Sequence, residues 1–405
     1  MKIAAIITEY NPFHNGHKYQ IDRTRELLGE DTAIIAIMSG NYTQRGEIAV
    51  ADKTVRAKAA VLSGVDLVLE LPFPFSMSSA EFFAKSGVRI AERLGIVDYL
   101  VFGSESGDIE LLTSIAKNMS SDEFKKKTDE LTDSDEAKNL GYPEIVELAY
   151  KSLYSSEIGT NFFTPNNILA LEYIKALLLE NSSIIPLTIK REGADYNDGV
   201  IEDTRYQSAT AIRGIIYRND ISAFDYVPES AKNVYLSELK SHKLPTDQSL
   251  LDTAVIAHLR LNPPDASIDF HDAAGGLYNR LYAKSLEARS ISSLIEMTET
   301  KKYTKARIRR AIFNSYFGVT SSVVRELPRF TQVLAASTVG RSLLKRIKRM
   351  SDFPVITKPS AYRTYGDAVI AQKELSCRAD SVFALTQKEP NSGSFALTFT
   401  PYVKK

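Results

Sequence analysis

Short apolar runs and amphipathic stretches alternate through the first half of the chain, and their periods predict strand and helix in turn. Lys2 to Ile7 is an apolar run of strand length. From His17 the period becomes helical, with Ile21 and Leu28 continuing one face over Asp22, Arg23 and Arg25. Thr32 to Met38 reads as a second buried strand and gives way to a loop from Ser39 to Glu47. Asp52 suits the cap of a helix carrying Val55, Ala59 and Leu62 on one face, and Gly64 suits its stop. Val65 to Leu71 is a third strand, halted by Pro72 and Pro74. Ser78 with Glu81 fits a capping box for a helix to Leu94, with Gly95 beyond. Ile96 to Phe102 is a fourth strand and runs into Gly103-Ser104-Glu105. A charged, helical stretch from Leu111 to Tyr154 follows. Thr164 and Pro165 then suit the cap and first position of a helix through Leu179. Ile184 to Ile189 is a fifth strand ending in Lys190-Arg191, before a polar loop from Glu192 to Gln207.

Strands at this spacing, joined by helices, imply right-handed crossovers and a parallel sheet, with ligand outside the carboxyl ends of the strands. The expected fold is α/β: a Rossmann-like, parallel five-stranded domain over residues 1–230 with a helical insertion near 110–160. A mainly helical α+β domain over 231–405 completes it, the boundary marked by Pro228, Lys243 and Pro245. In that second part Ser285 to Met297, Thr304 to Tyr316 and Arg341 to Met350 read as helices. The last of these places Leu344 and Ile347 inside. Gln332 to Ala336 and Phe353 to Ile356 read as strands. Lys305, Arg307, Arg309 and Arg310 read as largely outward.

Composition narrows the class. A chain of 405 residues is long for one core. A single cysteine, Cys377, excludes a disulfide framework or a cysteine-based zinc site and fits a reducing cytosol. No segment approaches the roughly 20 apolar residues that span a bilayer, so a cytoplasmic protein without membrane attachment is expected. Net charge is zero, yet residues 301–350 hold 13 Lys or Arg against one acid, Glu326. As a bare pattern this is a solvated helix face. The imbalance favours the other reading, a platform for an RNA phosphate backbone.

The candidate chemistry lies where the first strand meets the first helix. Unpaired N–H groups of a first helical turn and the helix dipole favour an anion there. His14 and His17, three apart, can face one phosphate, and Gly16 lets the backbone come close. On spacing alone the pair also fits a metal pair or two surface residues. As a bare pattern Ser208-Ala209-Thr210-Ala211-Ile212-Arg213, coming after the fifth strand, is only a capped helix with small hydroxyls and a guanidinium at its start.

The run Tyr10-Asn11-Pro12-Phe13-His14-Asn15-Gly16-His17 resembles the signature of the HIGH-motif nucleotidyltransferase superfamily, with Asn11 in place of the usual Asp. Together with Gly40-Asn41-Tyr42-Thr43-Gln44-Arg45-Gly46-Glu47 it resembles one family within it, the bacterial tRNA(Met) cytidine acetate ligases. That resemblance spans nearly the whole chain, including Lys301-Lys302-Tyr303-Thr304. It implies an enzyme that joins acetate to ATP, forms acetyl-adenylate, and passes the acetyl group to N4 of the wobble cytidine (C34) of elongator tRNA(Met). His14 and His17 would then stabilise the leaving pyrophosphate as the catalytic residues. The ATP site would take in Ile7, Thr8, Glu9, Tyr10, Asn11, Pro12, Phe13, His14, Asn15, Gly16, His17, Lys18, Tyr19 and Gln20. It would also include Gly103, Asn167, Arg191, Ser208, Thr210 and Arg213. Asn166 and Asn167 are hard to tell apart. Gln44, Arg45 and Lys53 are further candidates for acetate or the cytidine. Magnesium would arrive with ATP, with no dedicated metal ligands; DNA is not an expected partner. Two rival readings are a small-molecule adenylyltransferase of the same superfamily and a non-catalytic tRNA-binding protein. The basic second half argues against the first, and His14, His17 and Arg213 argue against the second.

Overall fold

The computed structural model describes residues 1–134, 140–154, 162–191 and 206–404. Parts of the expected insertion, and residues 192–205 of the polar loop, lie outside them. The five expected strands are present as β1 (Ile3–Thr8), β2 (Ala33–Ser39), β3 (Leu67–Leu71), β4 (Tyr99–Ser104) and β5 (Ile185–Lys190). All five run parallel in the order β5-β4-β1-β2-β3. The sheet continues past them. β6 (Thr331–Ala336) pairs antiparallel with β3, and β7 (Val355–Ile356) and β8 (Tyr402–Val403) each pair with β6, making eight strands.

Every residue of β1, β2 and β3 is buried, as expected for a parallel sheet covered on both faces. Alternation divides them between two cores. Ile3, Ala5 and Ile7 pack toward the helices Ala80–Arg93 and Pro165–Leu179, while Ala4 and Ile6 join the core under Lys53–Leu62, Ala209–Tyr217 and Glu229–Lys240. A third core is built by the helices Asp252–Leu261, Leu277–Ser285, Ile291–Thr298, Lys305–Phe317 and Asp367–Ala384. Tyr42, Ile48 and Ala49, from the loop after β2, are part of it.

Several local expectations change. Ser79, not Ser78, begins the helix Ala80–Arg93; the Ser78 hydroxyl donates to the Pro74 carbonyl and Glu81 pairs with Lys85, so no capping box forms. The helix expected over Ser285 to Met297 begins only at Ile291, where Ser290 and Ser293 cap it, and Ser285 instead ends the preceding helix, Leu277–Ser285. In the helix Thr338–Met350 it is Leu343 with Ile347 that is fully buried, and Leu344 packs at its margin.

That helix is held by its first turn. Ser337 donates through its backbone N–H to the Asp66 carbonyl (2.7 Å) and through its hydroxyl to the Asp66 carboxylate (3.0 Å). A side chain at Gly340 would collide with the same Asp66 carbonyl, which is backbone and cannot swing away. Gly340→Ala is therefore expected to lower the stability of the folded chain by roughly 1–3 kcal/mol as an overpacked contact. Urea unfolding read by circular dichroism checks it, with Ser342→Ala, on the exposed face, as the silent control.

Candidate active site

The order β5-β4-β1-β2 places a crevice at the carboxyl ends of β1 and β4, where connections leave in opposite directions. The chain leaving β1 is pinned on both sides before its helix begins. Tyr10 takes a left-handed backbone (φ 47°), and the Asn11–Pro12 bond is cis. The Asn11 side chain accepts from the Val50 N–H (2.8 Å), and the Phe13 N–H donates to the Tyr235 hydroxyl (2.9 Å). The rings of Tyr10 and Phe13 are fully buried in the core behind the turn.

His14 then caps the helix Asn15–Leu28. Its Nδ1 accepts from the Gly16 N–H (3.0 Å), and His17 Nδ1 reaches back to accept from the His14 N–H (3.2 Å). The two rings lie face to face, 3.8 Å between centroids and 33° between planes. A backbone N–H can only donate, so both Nδ1 atoms carry lone pairs and both neutral rings carry their proton on Nε2. The result is a pair of Nε2–H donors at a helix N-terminus. Burial pushes the His14 imidazolium down to about 3, helped by the charges of Arg191 and Arg213. Burial also holds His17 well below its usual value, with His14 and Arg191 adding to it. Protonating either ring would cost it the backbone bond as well as place a third positive charge in the crevice.

The charges of Arg191, after the edge strand β5, and of Arg213, on the helix Ala209–Tyr217, both act on the His14 ring. Arg191 follows β5, and its stem lies along the bare Cα of Gly103, where a Cβ would sit 3.3 Å from Arg191 Cγ. Arg213 donates to the Asn11 carbonyl (2.9 Å), the Glu47 carboxylate (3.0 Å) and the Thr210 hydroxyl (3.2 Å). Ser208 caps the helix Ala209–Tyr217 through the Ala211 N–H, and both Ser208 and Thr210 are exposed. Glu47 bridges Arg213 to Arg309, on the helix Lys305–Phe317.

The other expected residues fall into distinct places. Ile7 turns its side chain into the core against Gly87, so only its backbone faces the crevice. Lys18 pairs with Asp22 along the helix, and Tyr19 meets the ring of Tyr206. Asn167 is buried; its Oδ1 accepts from the Glu105 and Ser106 N–H groups (3.0 and 3.1 Å), and its amide donates to the Phe162 carbonyl. Glu105 in turn receives Thr164, the Asn166 side chain and the Asn167 N–H. Asn167 thus holds the loop after β4, and Asn166 is the more exposed of the two. Gln44 donates its backbone N–H to Glu9 (2.8 Å), and Arg45 is exposed. Lys53 lies away from any open surface, buried between Glu70 (2.5 Å) and Asp380 (2.6 Å). Among the described residues no group of three or more His, Cys, Asp or Glu is gathered to hold a metal ion.

The basic second half is only partly free. Arg310 is buried, not outward: it grips Asp272 with two bonds and donates to the Gln44 carbonyl. Arg307 donates to the carbonyls of Asp272 and Ala274. Arg341, Lys345, Arg346, Lys348 and Arg349, on the helix Thr338–Met350, are all exposed. On the sequence Glu47 is only the end of a motif and Arg309 only an outward cation, and Asp272 was not singled out. Their partners come from segments far away along the chain.

Residues 1–395 match the HIGH Nucleotidyl Transferase family. The tRNA(Met) cytidine acetate ligase of Acetivibrio thermocellus is 36% identical, with 96% of each chain covered. That of Caldicellulosiruptor saccharolyticus is 38% identical over 96% of this chain and 95% of its own. The crystal structure of Thermotoga maritima TmcAL bound with alpha-thio ATP superposes with a TM-score of 0.90, at 30% identity and over the whole of both chains.

The depressed imidazoles make stability depend on pH. Below about 6.5 the unfolded chain binds protons on these histidines that the folded chain does not, so stability falls as pH drops from there toward 3 and is level above it. His14→Asn keeps a capping side chain that does not titrate. Between pH 7 and 5 the unmodified chain is expected to lose about 2 kcal/mol more than His14→Asn, read by urea unfolding at the two pH values.

Proposed function

The chain belongs to the HIGH nucleotidyl transferase family and, within it, is a tRNA(Met) cytidine acetate ligase, and we propose that its crevice runs both halves of that reaction on one ATP. In the first half an acetate oxygen attacks the α-phosphorus in line, the bond to the β-phosphate oxygen breaks, and acetyl-adenylate and pyrophosphate result. In the second half the acetyl group moves to N4 of the wobble cytidine of elongator tRNA(Met), giving N4-acetylcytidine and AMP. The observation that carries the first half is the matched pair of Nε2–H donors on His14 and His17 beside two guanidiniums. Charge builds on the departing pyrophosphate, and fixed donors aimed where charge develops supply most of such catalysis. Neutral rings suit this: they donate without moving a proton, and the backbone N–H bonds hold both donors in place.

Arg191 and Arg213 would draw the triphosphate in from either side, with Arg213 exchanging its bond to Glu47 for one to phosphate. The peptide groups from Ile7 to Phe13, and Gly103 with the Arg191 stem laid against it, would border the nucleotide. Magnesium would come as the triphosphate's own counter-ion. No described helix is long and apolar enough to cross a membrane, and a tRNA-modifying ligase is proposed to work in the cytoplasm. The tRNA would lie on the exposed face of the helix Thr338–Met350 and on Lys301, Lys302 and Lys305, the exposed lysines at the start of the helix Lys305–Phe317, since Arg310 is spent on Asp272.

Incubation with ATP, labelled acetate and unmodified tRNA(Met) transcript tests the reading. Acetate-dependent pyrophosphate release and label in the tRNA are expected; turnover only with a phosphorylated metabolite, or tRNA binding without turnover, would sink it. His14→Ala and His17→Ala are each expected to slow acetate-dependent ATP–pyrophosphate exchange by roughly 100- to 1,000-fold, the loss typical of one charge-stabilising donor, with tRNA affinity unchanged. Arg346→Glu with Arg349→Glu is expected to do the reverse. It should leave the exchange intact while weakening tRNA binding and flattening its salt dependence by about one phosphate contact per residue, as measured by filter binding across a salt series.

A further inference from the structure

Glu9 lies between the end of β1 and the histidine pair. One of its carboxylate oxygens is fixed by the Gln44 N–H at 2.8 Å. The other has no donor among the described residues, and the side chain keeps an exposed edge while Tyr10, Asn11 and His14 beside it are buried. The cations around it are engaged elsewhere. Arg56 spends its guanidinium on the carbonyls of Glu9, Ser39, Gly40 and Ala51. Arg213 is bonded to Asn11, Glu47 and Thr210. Arg45 faces Glu9 from the loop after β2, Glu47 adds a like charge, and Tyr173 faces it from the helix Pro165–Leu179. A largely buried carboxylate with one accessible edge, one oxygen held and the other without a donor among the described residues, is placed to receive a hydrogen from something that enters the crevice.

We infer that Glu9 is the general base of acetyl transfer, its open oxygen accepting from the exocyclic N4 amine of the incoming cytidine. The inference rests on the acetate-ligase reading. The N4 lone pair is delocalised into the ring, so the amine becomes acidic as nitrogen bonds to the acetyl carbon. In that step the N–C bond forms and the bond from the acetyl carbon to the phosphate oxygen breaks. AMP leaves with the electron pair, and one N4 proton passes to the Glu9 carboxylate, which later returns it to water. Carboxylates are natural acceptors for the cytosine N4 amine, so the contact that removes the proton also selects a base with an amino group at that position. Burial pushes the Glu9 carboxyl above its ordinary value, against the Gln44 N–H and Arg213, which makes the carboxylate a stronger base. Adenylate formation has no proton for Glu9 to take, and an anion there does not help acetate approach.

Glu9→Gln separates the steps, because an amide oxygen can still accept from the Gln44 N–H. In single-turnover assays with purified acetyl-adenylate, the transfer to tRNA is expected to slow by roughly 100-fold or more, within the range of general-base contributions. Acetate-dependent ATP–pyrophosphate exchange is expected to lose far less than transfer does, because only the Glu9 peptide group, which the substitution keeps, borders the nucleotide. The transfer rate of the unmodified chain should rise with pH through one ionisation and that of Glu9→Gln should not. Glu9→Asp, which keeps the charge on a shorter arm, should be slow but retain the pH dependence; it also covers the case in which Glu9→Gln folds poorly by its melting curve. Unchanged transfer in Glu9→Gln overturns the inference. So does an equal loss of exchange, or a raised KM for acetate, either of which would make Glu9 an adenylation residue. If the unmodified chain neither exchanges pyrophosphate nor labels tRNA, the acetate-ligase reading fails first.

Discussion

Two backbone N–H groups ending on two imidazole nitrogens are the constraint on which the crevice depends. Gly16 feeds Nδ1 of His14, and His14 feeds Nδ1 of His17. Each bond does three things at once. It satisfies an orphan donor of a helix start, fixes the ring's tautomer, and turns an Nε2–H outward. Gly16 is required by the first of these, since a Cβ there would sit 2.9 Å from the His14 ring. The arrangement holds only while both rings are neutral, and the surrounding arginines and burial enforce that. Positive charge in the crevice therefore comes from guanidiniums, which cannot lose it, and directional donation comes from imidazoles, which do not gain it.

The loop after β2 passes that order on to the second half of the chain. Gly46 packs so tightly on the backbone of Arg309 and Arg310 that no side chain fits. Tyr42 donates to the Ala379 carbonyl, Arg310 to the Gln44 carbonyl, and Glu47 joins Arg213 to Arg309. Gln44 is the same residue whose N–H fixes Glu9. A shift of the helix Lys305–Phe317 would thus be felt at Glu9 and at Arg213 through a loop with buried anchors at Tyr42, Thr43 and Ile48.

What was legible in the sequence was whatever is decided locally. A strand of six or seven apolar residues reads as such wherever it lies, so β1 to β5 stand within a few residues of expectation. The His-x-x-His turn is likewise written within one stretch. Partners that arrive from a distance were not legible. Helical spacing treats Arg310 and Lys305 alike as outward cations; Asp272, 38 residues earlier, draws one of them in and leaves the other in solvent. β6 reads as a strand by itself, yet nothing in its residues says that it will pair antiparallel with β3 and extend the nucleotide sheet. Asn167 reads as a free amide at a helix start, and only the folded loop after β4 uses up its oxygen.

Lys53 carries this argument furthest. On the sequence it is a cation after a polar loop, available to a small anion. In the fold it makes a buried bond from a helix of the first half to Asp380 of the helix Asp367–Ala384, with Glu70 near the end of β3 completing the group. Taking three charges out of water costs several kcal/mol each, and their attraction returns that only when the geometry is good, so such a group adds little stability over well-packed apolar side chains. It does penalise every other docking of the two elements, because a slip of one helical turn would leave the Asp380 carboxylate buried without its ammonium, and Lys53 with Glu70 alone. Asn41 reinforces the same register, donating to Asp380 and Asp52 while accepting from the Lys53 N–H. The charges are kept for alignment: they set where the rear helices stand against the loop that positions Glu9, Glu47 and Arg213.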